Sequence, residues 1–165
     1  SELATPQRLS LVDQTIEATH RIAASLRPPV LDFGIVSAIE WQIRRFGHTT
    51  GIACAFDAPA EAIPLEADAA IAVFRIVQEA LTNVAKHAQA TRARVALALE
   101  NGTLVATVTD NGQGMRAETP KNGTHGFGVL GMTERAAALG GILTVSPAPR
   151  RGTRVTLRVP LAAGK

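Results

Sequence analysis

Glu79, Asn83 and His87 recur at intervals of four, with Lys86 beside the last of them. On a helix that spacing puts the first three on one face. A carboxylate, an amide, an imidazole and an ammonium group together could hold a metal ion or an anion; the same spacing also fits a solvated helix face. At about 100° per residue the polar face lies roughly 140° from the centre of an apolar stripe made by Phe74, Val77, Leu81, Val84 and Ala88. Asn is disfavoured inside helices because its amide competes for backbone groups. A ligand or Mg²⁺ that requires the amide would account for Asn83.

Three further segments hold chemistry-bearing types. Asp110-Asn111-Gly112-Gln113-Gly114 sets a carboxylate at the end of an alternating strand pattern, followed by two glycines. Alone this reads as a turn. A carboxylate fixed there could also accept a hydrogen bond from an adenine amino group, with the glycines letting the backbone lie against the base. Gly126-Phe127-Gly128-Val129-Leu130-Gly131 is a G-x-G-x-x-G preceded by a polar loop rather than by a strand, so it is not a dinucleotide fingerprint. It remains a glycine-rich segment that opens a helix, whose free N–H groups suit phosphate. Gly152-Thr153 starts the last strand and alone signals only a turn and a β-branched residue.

The elements that must position these groups can be read from periodicity. Leu9, Val12, Ile16, Thr19, Ala23 and Leu26 follow a three–four spacing, a coiled-coil-like seam. Arg27-Pro28-Pro29 ends it, because a residue before proline avoids the α region. Val36, Ile39, Ile43 and Phe46, with Trp41 beside them, form a second helix closed by Gly47 and Gly51. Ile52–Phe56 reads as a strand. A third helix runs from about Glu66 to Ala88. Alternation at Val95, Leu97 and Leu99 gives a strand, Asn101-Gly102 a tight hairpin, and Leu104–Thr109 its return. Asn111 to His125 is a long loop rich in Gly, Asn, Thr and Pro, which invites a functional reading. A helix follows around Val129–Leu139, and the strands Leu143–Ser146 and Arg154–Val159 flank Pro147-Ala148-Pro149. Helices interleaved with a hairpin-rich sheet predict an α+β chain, a two-layer α/β sandwich with an N-terminal helical stem.

Composition bounds the function. The 165 residues are 46% hydrophobic and 19% charged, so the chain is globular. Aromatics make up 4% and Tyr is absent, which leaves the core to Ala, Val, Leu and Ile. The net charge is +3. Arg150, Arg151, Arg154 and Arg158 cluster without aromatics, which argues against a nucleic-acid surface and for a solvated strand edge. The single cysteine, Cys54, permits no intrachain disulfide and no Cys-based metal site. No apolar run approaches the roughly 20 residues needed to span a bilayer, and no signal peptide is visible. A cytoplasmic piece is expected, from a parent whose membrane anchor, if any, lies elsewhere.

In combination the motifs are far more specific. Their order is a helix with Glu-x-x-x-Asn, a strand ending in Asp-x-Gly-x-Gly, a polar loop, Gly-x-Gly opening a helix, and Gly-Thr on a strand. This order resembles the Bergerat ATP-binding fold of histidine kinases, gyrase-type ATPases, Hsp90 and MutL. Phe74 to Ala88, FRIVQEALTNVAKHA, resembles the N box of the nitrate-sensor and DesK-like sensor histidine kinases, and Leu26-Arg27-Pro28-Pro29-Val30-Leu31-Asp32 is similar to the segment leaving their dimerisation hairpin. The resemblance covers nearly all the chain from about Leu11.

That resemblance implies ATP and Mg²⁺ as cofactors. Asn83 would bind Mg²⁺, and Lys86 and His87 would face the phosphates. Asp110 would take the adenine amino group, with Gly112 and Gly114 shaping the base pocket. Gly126, Phe127 and Gly128 would form the phosphate side, and Thr153 would line the adenine end. Glu79 matches a position that assists proton transfer or orients the nucleophile. Met115 to His125, polar and holding Pro120, Asn122 and Gly123 with few apolar anchors, is expected to form a lid over such a nucleotide. Residues 1–31 would be the second helix of an incomplete dimerisation domain and 32–165 the catalytic domain. The implied partners are a second protomer through that hairpin and a response regulator, with no nucleic acid and no membrane contact.

One departure matters: the family's acceptor histidine precedes an acidic residue on the first hairpin helix, whereas His20 precedes Arg21 close to Leu26-Arg27-Pro28-Pro29. His20 is therefore read as a surface or seam histidine, and the acceptor is expected outside this chain. Two other readings compete: a gyrase- or MutL-type ATPase, which needs a following domain that donates a lysine and is not expected after Val159, and an anti-sigma-factor-like binding module.

Overall fold

The computed structural model describes residues 14–15, 27–114 and 127–162. Of the expected stem, Gln14 and Thr15 are described, both helical; its seam from Leu9 to Leu26, the segment Met115–His125 and Gly126 lie outside the described residues. After Arg27-Pro28 a 3₁₀ turn, Pro29–Phe33, leads into α1 (Ile35–Thr50). Then come β1 (Ala53–Asp57), α2 (Ala67–Asn83), a π turn (Val84–Ala88), β2 (Arg92–Glu100), β3 (Thr103–Asp110), α3 (Phe127–Ala138), β4 (Ile142–Pro147) and β5 (Thr153–Pro160).

Among the described residues five strands form one sheet in the order β1-β2-β3-β5-β4. β1 runs parallel to β2 and the other pairs are antiparallel. The parallel pair needs a crossover, which α2 supplies. Register aligns the apolar positions across the sheet. Phe56, Val95, Val108, Val155 and Val145 form one transverse row, and Leu97, Ala106, Leu157 and Leu143 another. All of these except Val145 belong to or pack on the single core that also takes in the helices. Because side chains alternate along a strand, the opposite face carries Arg94, Thr109, Arg154 and Ser146 in register. The layers are thus helices on one face and an open sheet on the other, the expected two-layer sandwich.

Local chemistry sets the element ends. Asn101 and Gly102 adopt φ of 50° and 77°, the positive values that a two-residue hairpin requires. Gly51 closes α1 at φ 74°, its N–H donating to Gly47 O at 2.9 Å. Gly47 itself lies inside the helix. Trp41 stands 44% exposed on the outer side of α1, with the Arg45 guanidinium 5.5 Å from its ring centroid. The arginine cluster differs from expectation: β5 is an interior strand, so Arg154 and Arg158 decorate the open sheet face rather than an edge. Arg158 Nη1 pairs there with Glu100 Oε2 at 3.3 Å.

α2 is the central helix. Val73, Phe74, Ile76, Val77, Ala80 and Leu81 are buried, a stripe wider than five residues at i, i+3, i+4 would give. It touches α1 on one side and α3 on the other as well as the sheet. The helix therefore offers little free surface, and its Glu79 and Asn83 lie against Gly128 of α3.

Cys54 on β1 is half-buried, and burial raises its thiol to about 11 despite an opposing hydrogen bond from the Val95 backbone. Since the thiolate is the nucleophile, alkylation of the folded chain at pH 8 should run on the order of a hundredfold slower than that of a free thiol. A time course with iodoacetamide checks this, with the rate rising to the free-thiol value in denaturant.

Candidate functional site

The site begins at the end of β3. Asp110 is 6% exposed, one of two buried polar side chains among the described residues. Its Oδ1 accepts the N–H of Gly112 at 2.8 Å, so the chain turns on its own carboxylate. A carboxyl group has further acceptor sites, and the Asp110 carboxyl is held rigidly while offering them. Asn111 pins the same turn to the start of β2: its Oδ1 accepts from the N–H groups of Thr91 and Arg92 at 3.0 and 2.9 Å.

Two glycines here are close approaches. A Cβ on Gly112 would collide with the Ala88 carbonyl oxygen and stand 2.7 Å from Ala88 Cβ. A Cβ on Gly152 would collide with the Asp110 carbonyl oxygen and stand 2.8 Å from its Oδ1. The lead-in to β5 thus lies against Asp110 and brings Thr153, the first residue of that strand, to the same place. Gly114, at φ 78°, comes next, 3.5 Å from Gly152 O by the same measure. The expected base-pocket residues Asp110, Gly112, Gly114 and Thr153 therefore converge. Gly112 earns its place by packing on the end of the helical segment, not by leaving open space.

The second cluster lies on α2. Glu79 and Asn83 are both half-buried. α3 starts at Phe127, and Gly128 presses on both side chains: a Cβ there would stand 2.8 Å from Glu79 Oε1 and 3.6 Å from each terminal atom of the Asn83 amide. Glu79, Asn83 and Gly128 are thus brought together where a helix begins, whose first N–H groups have no intrahelical partner. Nearer the other end of this α2–α3 seam sits Arg75, whose guanidinium burial, and then the neighbouring Arg135, hold below its ordinary range.

Lys86 and His87 are exposed within the π turn. An unbroken α-helix would have stacked His87 above Asn83. The wider π winding changes that register, and His87 does not share the half-buried position of Glu79 and Asn83. The turn ends at Gln89, a non-glycine residue at φ 51°. Single π turns inside helices are frequent at functional sites.

Three residues that spacing did not single out complete the geometry. Gln113 donates its main-chain N–H to Ala88 O at 2.7 Å and its side-chain amide to His87 O at 2.8 Å. Arg151 Nε donates to Gly112 O at 3.0 Å. Asn111 anchors the loop as described. The only signal for the first and last was their place inside the Asp-x-Gly-x-Gly string. In the sequence Arg151 stands out only as one of the clustered arginines near the end of the chain.

A model of the histidine kinase-, DNA gyrase B- and HSP90-like ATPase family matches residues 68–163, the stretch that holds every residue of both clusters. The chain is 33% identical over 165 residues to the sensor histidine kinase MctS of Rhizobium johnstonii, covering 99% of this chain and 36% of that protein. It is 32% identical over 152 residues to the oxygen sensor histidine kinase NreB of Staphylococcus carnosus, covering 92% and 44%. The chain thus spans less than half of either relative. Among solved structures, the histidine kinase domain of a blue-light activated histidine kinase from Erythrobacter litoralis superposes with a TM-score of 0.63 at 22% identity, over 77% of this chain and 60% of that one. That likeness is one of fold.

Proposed function

The chain belongs to the histidine kinase-, DNA gyrase B- and HSP90-like ATPase family, and from that membership we propose that it binds Mg-ATP between α2 and the glycine-rich start of α3. The buried carboxyl of Asp110, fixed by Gly112 and overlain by Gly152, carries the reading. It is an acceptor suited to the adenine amino group, next to backbone that only glycine allows. Gly114 and Thr153 border the same pocket.

From there the triphosphate would run past the π turn toward the opening of α3. Lys86 would supply positive charge along that path and His87 a polar ring facing it, and Gly126, Phe127 and Gly128 would supply backbone N–H groups. The donor set fits Mg²⁺, a hard ion that takes oxygen ligands and needs few from protein: among the described residues no group of three or more His, Cys, Asp or Glu could hold a metal, but the Asn83 amide oxygen stands at the phosphate end. Bound there, the ion would neutralise charge on the phosphates. Glu79, beside Asn83 against Gly128, would orient or deprotonate the group that receives the phosphoryl.

For the whole protein we propose transfer of the γ-phosphate to a histidine of a dimerisation domain and relay to a response regulator. Residues 1–31 would belong to that domain's second helix and 32–165 to the catalytic domain, in a cytoplasmic homodimer. The curated relatives are sensor histidine kinases, which favours this over a gyrase- or MutL-type ATPase. No helix among the described residues is long and apolar enough to cross a membrane.

Asn83→Ala tests the metal assignment. Mg-ATP affinity should fall by about 1.5 kcal/mol, roughly tenfold, while affinity for Mg-free ATP changes little. Equal losses in both titrations would show that Asn83 holds the pocket together and does not act through the ion.

A further inference from the structure

A helix leaves its last carbonyl groups without intrahelical partners, and the segment Val84–Ala88 meets that need from a distance. Two of its final carbonyls, His87 O and Ala88 O, are both taken by Gln113, one by the side-chain amide at 2.8 Å and one by the main-chain N–H at 2.7 Å. Gly112, just before it, has no room for a Cβ against Ala88, and its own carbonyl is held by Arg151 Nε at 3.0 Å. The loop is thus docked rigidly on the turn. Val84 and Ala88 anchor the turn in the core, but it is π-wound and leaves through Gln89 at positive φ, both conformations that persist only where surroundings impose them.

We propose that Gln113 is a positioning residue that fixes the π turn, so that the groups facing the phosphates are set by the same loop that carries Asp110. The inference rests on the nucleotide reading above. Gln113 need not touch the nucleotide. It caps the turn that bears Lys86 and His87 and directly follows Asn83, and it lies three residues from Asp110. The adenine end and the phosphate end of the site are then one mechanical unit joined at Gln113.

The test compares nucleotides with and without phosphates. Gln113→Met keeps the length of the side chain, removes its donor and leaves the main-chain hydrogen bond. Calorimetric titration of the purified variant should show Mg-ATP affinity reduced about three- to tenfold, the worth of one lost hydrogen bond, with adenosine affinity within about twofold of the parent. Amide exchange at Val84–Ala88 should quicken in the variant without nucleotide. Equal losses for adenosine and Mg-ATP would reduce Gln113 to general support of the loop and overturn the proposal, and so would an unchanged Mg-ATP affinity. Failure of the nucleotide reading itself looks different: the parent chain would then bind neither adenosine nor Mg-ATP.

Discussion

Gly152→Ala should lower the stability of the chain by about 4 kcal/mol, from collision in a packed region together with a disfavoured backbone angle. Gly152 is buried at φ 103°, and the added methyl would meet the main-chain oxygen of Asp110. The nearest atoms are main chain rather than the end of a flexible side chain, so one strand must move. A domain typically holds only about 5–15 kcal/mol in all, so the melting temperature should fall by roughly 10 °C or more. Gly131→Ala is the control. That glycine lies inside α3 with nothing within 4 Å of a new Cβ, and the change should add about 0.5–1 kcal/mol of stability through helix propensity. Thermal melts of the two variants should move in opposite directions. A Gly152→Ala melt within a few degrees of the parent would mean that β5 does not lie on Asp110 as described.

Asp110→Asn should weaken ATP binding by about 1.5–3 kcal/mol, one to two decades, the worth of a hydrogen bond to a charged group. The change is nearly isosteric, and the Asn oxygen can still accept the Gly112 N–H that Asp110 Oδ1 accepts at 2.8 Å. The fold should therefore survive while the acceptor proposed to face the base is weakened or replaced by a donor. Calorimetry on a variant that melts like the parent separates the two effects. Undiminished affinity there would remove Asp110 from the adenine site.

Much of this architecture was legible because it is local. The Asn101-Gly102 hairpin follows from two residues that tolerate positive φ, and alternation in β2 and β3 follows from half-burial. The pairing of Glu79 with Asn83 follows from one helical turn. What the sequence did not disclose depends on contacts between distant segments. Val84 and Ala88 fit an ordinary α stripe, and nothing near them announces a π turn; that winding goes with Gly112 and Gln113, more than twenty residues later. Gly152 reads as any turn glycine until β5 is paired with β3 and laid on Asp110. The arginines of β5 read as an edge because periodicity carries no strand order, and the interior place of β5 is settled by its pairing with both β3 and β4. Motif order, not composition or periodicity, is what singles out the proposed site residues.

The most direct measurement is a calorimetric titration of Mg-ATP into the purified chain, with Mg-GTP run in parallel. In the proposed site the Asp110 carboxyl is an acceptor that would match the amino group of adenine and oppose the carbonyl oxygen that guanine presents at the corresponding position. The account predicts saturable binding of one Mg-ATP per chain, with Mg-GTP weaker by about tenfold or more. No saturable binding of ATP, or equal binding of the two nucleotides, would contradict it.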